Sequence, residues 1–135
     1  MHKKILIPVA LDHAPLVSRK IEAARHMLAP GGTITLLTVL EQIGGFVAEF
    51  VTVKPENHLS ARVLEKLNEA ADGAEDIDCK VISGKPGVQI TKYAKDAGCD
   101  LIVVGSHSPG QEDYHLGSTA SRVVRRAHCA VYVLR

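Results

Sequence analysis

A chain of 135 residues, 46% of them hydrophobic, is the size of one domain and carries enough apolar side chain for a core of its own. Sixteen Lys and Arg against fifteen Asp and Glu leave a net charge of +1 without a run of like charge, so neither a nucleic-acid nor a membrane partner is expected. No stretch approaches the roughly 18 consecutive apolar residues of a membrane-spanning helix.

The first apolar run, residues 4–9, is rich in β-branched side chains, as in a strand covered on both faces of a parallel sheet, and Pro8 marks its end. Lys3 and Lys4 stand before its apolar residues, but Pro8 and Asp12 interrupt the run and no small-residue cleavage site follows. The expected location is therefore cytoplasmic. Val17, Ile21, Ala24 and Leu28 then stripe a helix that Pro30-Gly31-Gly32 should terminate, and residues 33–39 read as a second strand. Residues 40–54, with Gly44-Gly45 and no period, form a long connection. Leu59, Val63, Leu67 and Ala70 mark a second helix and residues 77–82 a third strand.

Pro86 can open a third helix, whose stripe is Ile90, Ala94 and Ala97 and whose end is Gly98. The most apolar strand follows, residues 101–104. Ala120, Val123, Val124 and Ala127 face a fourth helix inward, with Arg122, Arg125 and Arg126 outward, and residues 130–134 close the chain as a fifth strand. Such alternation predicts an α/β fold: a parallel sheet with helices on both faces and right-handed crossovers. Ligands of such folds sit beyond the carboxyl ends of the strands. That rule selects the loops after Val9, Val39 and Val104. Cys79, Cys99 and Cys129 are far apart and read as reduced thiols in small buried sites.

The loop from Gly105 to Thr119 carries the chemistry, because its glycines let backbone N–H groups approach a ligand. Gly117-Ser118-Thr119 opens the next helix, where free N–H groups, the helix dipole and two hydroxyls suit a phosphate. The plainer alternative is that Gly105 and Gly110 only turn the chain and Ser118 only caps the helix. Neither GxxxxGK[ST] nor GxGxxG after the first strand is present, so the usual P-loop and dinucleotide fingerprints are missing. His107 and, less well placed, His115 flank the loop and are either ligands or solvated surface histidines. With His128 and Cys129 they show no zinc spacing, and no general base or metal set marks the chain as an enzyme.

The runs ILIPV, LLTV, LIVVGSH and LGSTASRVVRRAHCAVYVLR resemble the universal stress protein family along the whole chain, most closely its UspF and UspG branch. The resemblance implies one Rossmann-like (adenine nucleotide alpha hydrolase-like) three-layer domain over residues 1–135, with a five-stranded parallel sheet of order 3-2-1-4-5 and four helices. It also implies a stress-response role and a bound adenine nucleotide, ATP or else ADP or AMP, with or without Mg²⁺. Pro8, Val9 and Val39 would frame the base, Val104 and Gly105 the ribose, and Gly117, Ser118 and Thr119 the phosphates. Ala10 stands where the family usually has an acid, which Asp12 two places on can replace on the same face; Ser108 stands at a loop glycine, beside His107. The family is similar in often pairing through the last strand, so Val131, Tyr132 and Val133 are expected at a homodimer interface. The alternatives of the same fold are a nucleotide-free interaction protein and a slow ATPase or self-phosphorylating protein.

Overall fold

A computed structural model describes residues 1–10, 14–41, 54–106 and 116–135. Among these residues five strands alternate with four helices: β1 (His2–Pro8), α1 (Ala14–Met27), β2 (Leu28–Leu40), α2 (Lys54–Ala71), β3 (Ile77–Ser83), α3 (Pro86–Ala97), β4 (Leu101–Gly105), α4 (Ser118–Arg126) and β5 (Ala130–Leu134). All strand pairs are parallel and the order is β3-β2-β1-β4-β5, as expected. The central strands are continuously apolar because both faces are covered. Ile5, Ile7, Leu36 and Val103 pack with α1 and α2 on one side, and Leu6, Leu37, Ile102 and Val104 pack with α3 and α4 on the other. No helix of the described residues is long and apolar enough to cross a membrane.

Three expectations need correction. The second strand begins at Leu28, not at residue 33, so Pro30-Gly31-Gly32 lies inside it. His2 pairs with Leu28 and Lys4 with Thr33, so five residues of β2 are set against two of β1. Gly31 takes the left-handed φ of +78° that this bulge requires, and a Cβ on Gly32 would lie only 2.9 Å from the Lys3 carbonyl oxygen. In α2 the buried stripe runs Val63, Leu67, Ala71, while Ala70 is exposed and Leu59 is 47% exposed. On α4, Val123 is fully buried but Val124 is 44% exposed: Ala120, Val123 and Ala127 hold the inner face, and one further residue turns the chain by about 100°.

At the amino ends of the strands two charged side chains meet backbone partners. The Asp100 carboxylate accepts from the N–H groups of Lys3 (2.9 Å) and Lys4 (3.2 Å), and the Lys4 ammonium donates to the Ala97 carbonyl at the end of α3 (2.7 Å). Burial pushes the Asp100 carboxyl up, but the N–H groups of Lys3 and Lys4, the neighbouring His2 and its own N–H together hold the group below the usual carboxylate range. Gly98 ends α3 in the left-handed conformation. The three cysteines are free, with Cys99 buried and the other two half-buried; burial pushes all three thiols up, away from reactive thiolate.

A candidate nucleotide site at the switch point

After β1 the chain moves to β2 on one side; after β3 it returns to β4 on the other side of β1. A crevice opens where the carboxyl ends of β1 and β4 diverge. The backbone there is pinned. The Val9 N–H donates to the Leu37 carbonyl (2.8 Å), and the buried Thr38 hydroxyl donates to the Val9 carbonyl (2.9 Å). Beyond β4, the Ser106 N–H donates to the Leu134 carbonyl (2.9 Å), and the Ser106 carbonyl accepts from the Gly117 N–H (2.7 Å). These bonds set the start of α4 directly over the end of β4.

The result is a cleft of about 170 Å³. Its wall contains Pro8, Val9 and Ala10 from the end of β1, Val39 from β2, Val104 and Gly105 from β4, and Gly117, Ser118 and Thr119 at the start of α4. All the described residues singled out from the sequence as ligand contacts are therefore gathered in one place. Asp12, His107, Ser108 and His115 lie outside the described residues.

The cleft has two characters. Leu37, Val39, Ile90 and Val104 make an apolar floor, fit for the face of a flat aromatic ring. The other end is the start of α4, where Gly117 occupies the N-cap and, among the described residues, no side chain caps the helix. Ser118 thus does not act as the cap; its hydroxyl and that of Thr119 are exposed beside first-turn N–H groups that have no intrahelical partner. Among the described residues no group of three or more His, Cys, Asp or Glu side chains is placed to hold a metal ion.

Sequence reading missed Lys20, Leu37, Pro86, Ile90 and Ala120. Leu37, Ile90 and Ala120 are core residues whose upper edges happen to line the cleft. Lys20 is different. Only 5% exposed, it reaches from α1 to the cleft, and its ammonium donates to the Pro8 carbonyl at 3.2 Å. Burial lowers its pKa from the ordinary lysine value. A signal existed: Lys20 stands three residues after Val17 and four before Ala24, on the apolar stripe of α1.

Compared with protein families, residues 1–135 match the universal stress protein family over the whole chain. The chain belongs to that family. Universal stress protein G of Shigella flexneri is 28% identical over 144 residues, covering all of both chains, in agreement with the expected branch. Universal stress protein A homolog 2 of Coxiella burnetii is 31% identical over 139 residues, covering 99% of this chain and 95% of the relative. Among solved structures, the protein MJ0577 superposes with a TM-score of 0.79 at 26% identity, covering 99% of this chain and 96% of its own. Two more distant structures share the fold: a universal stress protein in complex with cAMP (TM-score 0.69, 20% identity, 99% and 97% covered) and a family member from Arabidopsis thaliana with AMP bound (TM-score 0.64, 18% identity, 98% and 90% covered). The fold is thus the Rossmann-like, adenine nucleotide alpha hydrolase-like sandwich of this family.

Proposed function

We propose that this universal stress protein is a cytoplasmic stress-response module that binds an adenine nucleotide in the switch-point cleft. The observation that carries the reading is the union in one cleft of an apolar floor and a helix start, without a cap from any described side chain, that bears Gly117, Ser118 and Thr119. The presence of AMP and cAMP in other proteins of the fold supports it. In this reading the base lies against Val39 and the Pro8–Val9–Ala10 segment, the ribose near Val104 and Gly105, and the phosphates at the start of α4. ATP, with Mg²⁺ carried on its phosphates, is one occupant of this arrangement, and Asp12, His107 and Ser108 border it in sequence. Calorimetric titration with ATP, ADP and AMP tests the proposal. Heat and thermal stabilisation at millimolar nucleotide are expected; the absence of both would sink it.

Ala10 favours a second reading, a nucleotide-free interaction protein, because it presents no acid where the family usually has one. Adenine nucleotide released on denaturing the purified protein would exclude that reading. In either case β5 is proposed as the homodimer contact. It is an edge strand, Tyr132 is 41% exposed on it, and Val131 and Val133 are half-buried against the core, so an outward face and free backbone groups remain for a second copy. Tyr132→Lys should shift sedimentation from dimer to monomer; an unchanged dimer would place the contact elsewhere.

A further inference from the structure

Lysine is almost never buried without a partner of opposite charge. Lys20 lies on the inner stripe of α1 and is 5% exposed. Among the described residues no carboxylate forms an ion pair with it, and its ammonium, which has three protons to donate, makes one hydrogen bond, to the Pro8 carbonyl. A Cβ on Gly105 would lie 3.4 Å from the Lys20 Cε and 3.7 Å from its Nζ. The head of the side chain is therefore set between the last residue of β1 and the last residue of β4, on the switch point itself.

Of the described residues around the cleft, Lys20 is the one with a charged side chain. The other electrostatic feature, the start of α4, is also positive. Two positive features facing one cleft, with no described acid to offset them, specify an anion. A phosphate suits better than a carboxylate, because its tetrahedral oxygens can accept from donors arriving from α1 and from α4 at once.

We propose that Lys20 is the charged half of the phosphate subsite: its ammonium meets a phosphate oxygen of the bound nucleotide and makes the cleft select nucleotides over nucleosides. The inference rests on the adenine-nucleotide reading and assigns a residue to it. The lowered proton affinity of Lys20 fits this role, since an arriving phosphate would restore the charge that burial disfavours. Without a ligand the same buried ammonium carries a desolvation cost that a bound phosphate would offset.

The test compares wild type and Lys20→Met, an apolar side chain of similar length, by calorimetry with adenosine, AMP and tripolyphosphate and by thermal melting. Wild type should prefer AMP to adenosine by about tenfold or more, and Lys20→Met should lose that preference while binding adenosine as before. Tripolyphosphate should raise the melting temperature of wild type and not that of the variant. Unliganded Lys20→Met should melt no lower than wild type; if it fails to fold, Lys20→Gln takes its place with the same expected outcomes. Undiminished AMP affinity in the variant overturns the role of Lys20 and leaves the nucleotide reading intact. Equal loss of adenosine and AMP overturns it too, since Lys20 would then only hold the Pro8 backbone. Stabilisation by tripolyphosphate that depends on Lys20, without binding of adenosine or AMP, keeps the anion subsite and removes the adenine. A wild type that binds none of the three overturns both.

Discussion

The two ends of the sheet use the same kinds of groups in opposite ways. At the amino end an ammonium, that of Lys4, caps the negative carbonyl end of α3 at Ala97, and a carboxylate, that of Asp100, receives two backbone N–H groups. Each charge meets its complement. At the carboxyl end an ammonium, that of Lys20, and the positive start of α4 face the same cleft, and no described side chain caps the helix. One end is matched and serves the fold; the other carries two positive features that the proposed anion would offset. The unbalanced polar groups, more than the size of the cavity, are what mark the carboxyl end as the proposed functional one.

The contrast is strongest at Gly117. Its φ of −59° and ψ of 158° suit any residue, so Gly117→Asp should fold with a melting temperature near that of wild type. The added carboxylate would stand at the proposed phosphate position, and nucleotide affinity should fall by about a hundredfold or more. Tight binding by this variant in a calorimetric titration would break the assignment of the carboxyl end as the functional one.

Thr38→Val joins the two roles. Removing the hydroxyl leaves the Val9 carbonyl without its side-chain donor in a buried site, which should cost about 1–3 kcal/mol in urea unfolding. Because Val9 also lines the cleft, nucleotide affinity should drop with it. A stability loss with affinity unchanged would show that the cleft tolerates movement of the strand end.

The smallest effect is expected at the opposite end. Asp100 is partly exposed, so Asp100→Asn should cost less than about 1 kcal/mol and leave affinity as it is. Its carboxyl is held below the usual range, so its contribution is complete above the unfolded value of about 3.9 and disappears as pH falls through the folded value. Melting curves across acid pH should show wild type and variant converging there. A gap that stayed constant would mean that packing, not the charge, accounts for the difference.

Much of this was legible residue by residue. Pro86 and Gly98 bound α3 as expected, because a proline without an N–H and a glycine in the left-handed region act locally. Gly117 as the start of α4 was equally local. Leu28 was not: it continues the helical stripe of α1 in sequence, but pairing with His2 draws it into β2. Val124 was misassigned beside Val123 because both are apolar and only packing separates them by exposure. Lys20 escaped because its charge suggested the surface, although its neighbours at helical spacing are buried.

The sequence by itself determined the alternation of strands and helices, the family, and the glycine and hydroxyl residues that line the cleft, since periodicity, turn chemistry and backbone freedom are properties of neighbouring residues. The tertiary structure alone decided the partners. That Pro8, Gly105 and Gly117 stand around one cleft depends on the parallel pairing of β1 with β2 and β4 and on the Ser106–Gly117 bond. That the ammonium of Lys20 lies buried there depends on α1 packing across those strands. Solvation and charge pairing are properties of the whole assembled surface, and no local stretch of chain carries them.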